Sequence, residues 1–150
     1  VCAILTADCL PVFLCDEAGT VVGIVHAGWR GLAAGVIEQA VAEMRKSCIH
    51  IMAYLGPAIG PDYFEIGEEV RHSFIKQDKI SIPAFTPCNG INSKKWRADI
   101  FLLARQRLTV AGVTKIYSHE ECTYSNPDKF FSYRRDGDTG RMAGLIWLTK

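Results

Sequence analysis

The chain has 150 residues, of which 49% are apolar and 22% charged, and its formal net charge at neutral pH is +1. This length suits one domain with a sizeable core, and the composition excludes a disordered protein. The balanced charge gives no reason to expect nucleic acid or a membrane as a partner. Six cysteines without a CxxC pair favour reduced thiols and a cytoplasmic location over a disulfide scaffold.

Apolar runs predict three strands in the first part of the chain. Residues 1–6 form the first, with no signal peptide before it, so we expect a chain that begins part-way through a larger protein. Residues 10–15 and 21–26 predict a hairpin around Gly19. If Cys15 pairs with Thr20, Cys9 lies directly opposite His26, with Cβ atoms ~4.5–5.5 Å apart. A bulge near Pro11 would shift this register by one residue.

The rest of the chain mixes helices and strands. Leu32, Val36, Ala40 and Met44 recur at helical spacing, and Ala33, Ile37 and Val41 lie beside this row. The pattern predicts one helix over residues 32–45. The further predicted elements are a strand at 49–55, a short helix marked by Ile66, Val70 and Phe74, a loop at 81–95, a helix stopped by Gly112, and strands at 113–118 and 142–148. These elements predict an α+β fold with a mixed, largely antiparallel sheet and packed helices. Because no linker divides the chain, residues 1–150 are expected to form a single domain.

Cys9 and His26 are the candidate reactive pair, able to share a metal ion or to act as thiolate and imidazole. A cysteine and a histidine on apolar strands are more often core residues, so this alternative stays open. Two features favour a site. Asp8 places a charge beside Cys9, and a glycine-flanked turn at residues 27–31 carries Arg30. An anion is expected near this turn, although the glycines would also be explained by the turn alone.

Six segments carry a family resemblance: TADCLP at 6–11, HAGWRG at 26–31, LGPAIGP at 55–61, CTY at 122–124, FFSYRRD at 130–136 and TGRMA at 139–143. Over essentially its whole length, the chain resembles the YfiH-like family. That family is also called the laccase-domain or multicopper polyphenol oxidase family and, more recently, the purine nucleoside phosphorylase family. The resemblance implies that the chain is the C-terminal part of the family domain.

The resemblance also implies a zinc ion bound by one cysteine and two histidines. Cys9 and His26 match two of these ligands, and the third is a histidine expected upstream of this chain. The other histidines, His50, His72 and His119, match no ligand position. Copper is possible with the same donors, but four scattered histidines cannot build a multicopper centre.

The implied activity is phosphorolysis of purine nucleosides such as adenosine, inosine or methylthioadenosine, with deamination of adenosine as a second reaction. Purine nucleoside and phosphate are thus the expected partners. Arg30, or Arg134 with Arg135, would bind the phosphate through charge-assisted hydrogen bonds, unless these arginines serve only in surface ion pairs. The general acid is open, and the candidates by residue type are Asp8, Glu120 and Glu121. The oligomeric state is also open.

Three other functions remain open. The fold resembles the catalytic domain of cytotoxic necrotizing factor toxins, in which a Cys–His pair deamidates glutamine; Cys9 would then be the nucleophile and His26 its base. The others are a copper-dependent polyphenol oxidase and an inactive binding or structural piece. Chelators would stop a metalloenzyme, whereas thiol alkylation would stop a Cys–His hydrolase.

Overall fold

A computed structural model of the chain describes residues 1–88 and 94–149. The strands are β1 (Cys2–Thr6), β2 (Leu10–Asp16), β3 (Val22–Ala27), β4 (Ile51–Leu55), β5 (Glu65–Gly67), β6 (Phe85–Pro87), β7 (Lys95–Ala98), β8 (Lys115–Ser118) and β9 (Met142–Ile146). The helices are α1 (Trp29–Ala33), α2 (Val36–Met44), α3 (Glu68–Ile75), α4 (Ile100–Val110) and α5 (Tyr133–Asp136), with a 3₁₀ helix at Lys79–Ala84.

The central sheet has the strand order β3-β2-β4-β8. β2 runs antiparallel to both of its neighbours, whereas β4 and β8 are parallel. Its core residues Leu10, Val12 and Leu14 are almost fully buried, because α2 packs against β3 and α4 packs against α2. The predicted α+β fold with mixed, largely antiparallel strands is confirmed.

The predicted register of the hairpin between β2 and β3 is wrong by two residues, because Cys15 pairs with Val22 instead of Thr20. The reason lies in the connecting loop. Asp16 Oδ1 accepts hydrogen bonds from the backbone N–H groups of Thr20 and Val21, both at 2.7 Å, and these bonds hold a longer loop than predicted. His26 therefore lies opposite Pro11, not Cys9. A shift of two residues leaves every side chain on its original face of the sheet.

Two smaller sheets complete the fold. β1 pairs antiparallel with β9, which joins the two ends of the chain, and both strands pack against β3. The outer face of this pair is apolar and exposed, and it carries Leu5 and Leu145. The other sheet has the order β5-β7-β6. Ile66 belongs to β5, where it pairs with Trp96, so the predicted short helix begins later, at Glu68.

The single helix predicted over residues 32–45 is wrong, since the segment forms two helices that meet at Gly35. Gly35 has a φ of +84°, a left-handed conformation that interrupts the helix. The predicted apolar face survives the break, and Leu32, Ile37 and Val41 are all buried. The predicted end of the later helix at Gly112 is confirmed, with a φ of +80° there.

The loop predicted over residues 81–95 begins inside the 3₁₀ helix and contains β6. The helix forms because the Asp78 side chain accepts a hydrogen bond from the N–H of Ile80 at 2.9 Å. Residues 89–93 of the predicted loop lie outside the described part of the chain. Within that part, no helix is both long and apolar enough to cross a membrane.

Candidate functional site

Cys9 lies in the short connection between β1 and β2. The preceding residue, Asp8, has a φ of +86°, which is unusual for a residue other than glycine. The peptide group of Asp8 is held in place, because its carbonyl oxygen accepts a hydrogen bond from the N–H of Ile59 at 3.0 Å. The connection thus makes a sharp turn, and Cys9 follows directly after it.

His26 lies near the end of β3, and its side chain faces the same space as that of Cys9. Gly28 shows how close they are: a Cβ at this residue would lie 2.9 Å from Cys9 Sγ and 3.9 Å from His26 Nε2. Any larger residue at position 28 would therefore displace the thiol. The absence of a side chain at Gly28 leaves room for the sulfur and the imidazole to approach one another.

Cys9 and His26 both line an open cleft of about 470 Å³. Trp29, Ile59 and Phe64 supply part of its apolar wall. The polar and charged side chains on the cleft are Asp8, Cys9, His26, Arg30, Tyr133, Arg134 and Arg141. This cleft therefore combines a thiol and an imidazole with three guanidinium groups and one carboxyl group.

The carboxyl group of Asp8 is not available as a free acid, although sequence alone made it a candidate. Oδ1 accepts a hydrogen bond from the hydroxyl of Thr123 at 2.6 Å, and Oδ2 accepts one from the backbone N–H of Arg134 at 2.7 Å. Thr123 is fully buried. Asp8 thus ties the connection that carries Cys9 to the C-terminal segment of the chain.

The other two candidate acids lie away from the cleft lining. Glu120 forms an ion pair with Arg105 at 2.8 Å, and Glu121 forms one with Lys129 at 3.3 Å. Both carboxyl groups are about half exposed. They bind basic side chains of their own neighbourhood, so the structure does not bring them to Cys9.

Arg30 and Arg134, the arginines expected to bind substrate, do reach the cleft. Arg30 lies over the ring of Trp29, with its guanidinium carbon 4.5 Å from the ring centre. Arg134 donates from Nη1 to the carbonyl oxygen of Glu65 at 2.9 Å. The expected anion site near residues 27–31 would depend mainly on Arg30, because α1 is only five residues long and its dipole is small.

Arg135 has a different role from its neighbour. Its Nη1 donates to the carbonyl oxygens of Thr123 and Tyr124 at 2.8 and 2.9 Å, and its Nη2 donates to that of Phe130 at 2.9 Å. It also pairs with Asp136 at 2.7 Å. These contacts engage the guanidinium within the loop, and Arg135 is not among the residues that line the cleft, so only Arg134 of the expected pair reaches it.

Arg141 lines the cleft but was not among the predicted site residues. The sequence did indicate this region, since Arg141 belongs to the TGRMA segment at residues 139–143, one of the segments that carry the family resemblance. Nothing in that segment alone connects it with Cys9. The connection is made by the pairing of β1 with β9, in which Thr6 lies opposite Met142, so that the next residues of the two strands, Ala7 and Arg141, emerge side by side.

The surroundings of Cys9 in the cleft also shift the pKa of its thiol. Burial raises the pKa of Cys9 above its ordinary value, and the negative charge of Asp8 raises it further, while Arg141 acts in the opposite direction. An unliganded Cys9 is therefore mainly protonated at neutral pH. A thiol becomes a strong nucleophile only as the thiolate, so the surroundings of Cys9 do not activate it by themselves.

The remaining histidines are separate from this site. His50, His72 and His119 are all exposed, and none is among the residues that line the cleft. His119 packs edge-on against the ring of Tyr54, with the ring centres 6.2 Å apart. Across residues 1–88 and 94–149, no three His, Cys, Asp or Glu side chains are grouped so that they could hold a metal ion.

Comparisons with known proteins indicate the same family as the six sequence segments. A family model described as multi-copper polyphenol oxidoreductase laccase matches residues 1–149. The chain is 53% identical over 148 residues to a Shigella flexneri protein named purine nucleoside phosphorylase YfiH. It is 52% identical over 148 residues to the protein of the same name from Escherichia coli strain K12. Each match covers 99% of this chain and 59% of the relative.

A solved structure gives the same result for the fold. The crystal structure of a Neisseria meningitidis protein, 50% identical in sequence, matches with a TM-score of 0.91 and covers 99% of this chain and 60% of that one. The predicted family resemblance is thus confirmed. The chain spans about 60% of the length of these relatives.

Proposed function

Since the chain belongs to the multi-copper polyphenol oxidoreductase laccase family, and its close relatives are named purine nucleoside phosphorylases, we propose that it serves in the phosphorolysis of purine nucleosides. The observation that carries this proposal is the shared cleft, in which Cys9 and His26 lie with three arginines. Adenosine, inosine and methylthioadenosine are the proposed substrates, and deamination of adenosine is a second proposed reaction.

Phosphorolysis needs an anion held beside the ribose. A phosphate oxygen forms a bond to C1′ of the ribose while the bond from C1′ to the purine nitrogen breaks, and the purine takes up a proton. The guanidinium groups of Arg30 and Arg134 suit the binding of phosphate, because arginine forms charge-assisted hydrogen bonds in a planar fork. The apolar wall formed by Trp29, Ile59 and Phe64 suits the purine ring.

We also propose that Cys9 and His26 are ligands of a zinc ion. A thiolate and an imidazole nitrogen are donors that zinc prefers, and both groups border Gly28 on the open cleft. When bound, zinc would supply a Lewis acid at an open coordination position. Catalytic zinc sites have three protein ligands. The family resemblance assigns the third to a histidine upstream of the TADCLP segment, in a region that the longer relatives carry outside this match.

Two alternatives predict different behaviour of the same side chains. A Cys–His amide hydrolase would use Cys9 as a nucleophile, which the raised pKa of its thiol does not favour. A copper-dependent polyphenol oxidase would need redox-active copper at the same two donors. Loss of activity with a chelator, restored by zinc but not by copper, supports the proposal. Loss of activity only on alkylation of Cys9 supports the hydrolase.

The test measures release of purine base and ribose 1-phosphate from inosine at varied phosphate. It uses this chain alone and the chain joined to the unmatched region of the Escherichia coli relative. We expect base release that requires phosphate, and a rise on the order of tenfold in the KM for phosphate in Arg30→Gln. Arg97→Gln, an exposed arginine outside the cleft lining, is the matched control. Base release that is independent of phosphate would contradict phosphorolysis.

A further inference from the structure

We propose that Arg141 is a phosphate-binding residue of the cleft and acts from the Cys9 side, an inference that rests on the proposed phosphorolysis. Pairing of β1 with β9 fixes its place. Thr6 lies opposite Met142, so Ala7 and Arg141 are neighbours at the point where both strands end. Cys9 follows Ala7 by only two residues. The antiparallel pair therefore delivers a guanidinium group to the wall that also carries the thiol.

The guanidinium of Arg141 is held in a fixed orientation. Nη1 donates to the carbonyl oxygens of Thr139 and Gly140 at 2.6 and 2.9 Å. Nε and Nη2 have no hydrogen-bond partner in the described part of the chain. One nitrogen thus anchors the group, and the other two can donate together to an anion. This edge of a guanidinium matches two oxygens of a phosphate.

Arg134, which lines the same cleft, is held in a similar way. Its Nη1 donates to the carbonyl oxygen of Glu65, and its guanidinium carbon lies 5.8 Å from the ring centre of Phe64. Anchoring to backbone oxygens lowers the entropy that an arginine loses when it binds a ligand. Arg134 and Arg141 thus form two fixed cationic groups in one cleft.

The charge balance of the cleft favours an anion. Arg30, Arg134 and Arg141 line it together with one carboxyl group, that of Asp8. Both oxygens of Asp8 already accept hydrogen bonds, from the hydroxyl of Thr123 and the N–H of Arg134. Within residues 1–88 and 94–149, none of the three guanidinium groups forms an ion pair with a carboxylate, although the charge of Arg134 contributes to lowering the pKa of Glu65. A dianionic phosphate would supply the missing negative charge.

The alternative is that Arg141 only stabilises the turn at Thr139 and Gly140. The two roles separate experimentally, because a turn clamp affects stability while a ligand-binding group affects affinity. Arg141→Lys sharpens the distinction. It keeps the positive charge but loses the planar fork, so a phosphate-binding role predicts an affinity between those of the wild type and Arg141→Gln.

The test titrates the 150-residue chain with inorganic phosphate at low ionic strength and follows the ³¹P linewidth and the thermal midpoint. We expect phosphate to bind and to raise the midpoint of the wild type. Arg141→Gln should bind phosphate about tenfold more weakly, and Arg97→Gln should bind it like the wild type. Absence of phosphate binding to the wild type, or unchanged affinity in Arg141→Gln together with a lowered midpoint, would overturn the assignment.

The assay of nucleoside cleavage separates this inference from the proposed function. If phosphate binds through Arg141 but no base is released by the chain joined to the unmatched region of the relative, the proposed function fails and the anion site remains. If base release requires phosphate but the KM for phosphate is the same in Arg141→Gln and Arg97→Gln, phosphorolysis stands and the role of Arg141 is wrong.

Discussion

The carboxyl group of Asp8 accepts a hydrogen bond from the backbone N–H of Arg134 at 2.7 Å, although 126 positions separate the two residues in the sequence. The second oxygen accepts a hydrogen bond from the buried hydroxyl of Thr123. Asp8 precedes Cys9, and Arg134 projects into the cleft, so this one carboxyl group joins two walls of the candidate site. Its geometry gives the first prediction.

Asp8→Ala should lower the free energy of unfolding by about 1–3 kcal/mol, because it leaves the Thr123 hydroxyl and the Arg134 N–H without their acceptor. Asp8→Asn should lower the free energy of unfolding by less. Asparagine tolerates the positive φ and can still form hydrogen bonds with the Thr123 hydroxyl and the Arg134 N–H. Urea denaturation measures the difference. Asp138→Ala, an exposed aspartate in the same segment, is the control. Equal midpoints for Asp8→Ala and Asp138→Ala would contradict the bridging role.

Gly28→Ala should disable the site while leaving the fold largely intact. The added Cβ would lie 2.9 Å from Cys9 Sγ, so the thiol must leave its present position beside His26. We expect nucleoside cleavage to fall at least tenfold, with a much smaller change in the thermal midpoint. Gly23→Ala, in the strand β3 that precedes Gly28, is the matched control, because its Cβ would meet only the flexible Met44 side chain at 3.3 Å. Equal activities of the two variants would argue against a reacting centre at Cys9 and His26.

Alkylation of the cysteines should follow their opposite pKa shifts. Burial and Asp8 raise the pKa of Cys9. At Cys122 burial also raises the pKa, but hydrogen bonds from Ser125 and the N–H of Gly60 outweigh it, so the pKa is lowered. Because the thiolate is the reactive form, alkylation of Cys122 should begin at a lower pH than that of Cys9. Mass spectrometry of iodoacetamide-treated protein across pH checks this order, and the reverse order would refute it.

Zinc binding should depend on the region that the longer relatives carry outside the match. Two ligands from this chain make an incomplete site, so the 150 residues alone should bind zinc weakly. Joined to the unmatched region of the Escherichia coli relative, the chain should bind about one equivalent. Cys9→Ala should abolish this binding, whereas Cys122→Ala should retain it. Tight, stoichiometric zinc on the 150 residues alone would mean that the predicted ligand set is wrong.

The exposed outer face of the β1–β9 pair should make the isolated chain associate. Leu5 is 60% exposed and Leu145 50% exposed, and the strand register puts both on one face. Exposed apolar patches of this kind drive association in water. Leu145→Thr should shift the chain toward monomer in sedimentation velocity. Ile82→Thr, which removes an equally exposed apolar side chain elsewhere, should leave the association unchanged. A monomeric wild-type chain would contradict this prediction.

The sequence by itself determined the local elements and the family. Apolar runs indicated β2 and β3, and helical spacing indicated the buried face of Leu32, Ile37 and Val41, because periodicity reports which side of an element meets the core. The break at Gly35 was missed, since an isolated glycine within an apolar pattern does not reveal its φ. The sequence also singled out Cys9 and His26, through the segments that surround them.

Only the tertiary structure decided how these parts meet. The hairpin register depended on side-chain hydrogen bonds of Asp16 within the loop, which a pattern of apolar residues does not encode. The engagement of Asp8 and the position of Arg141 depended on contacts between opposite ends of the chain. Local propensity contains no information on such pairings, because they are selected by the packing of the whole fold. For that reason the sequence named most of the cleft's reactive residues but not which of them are free to act.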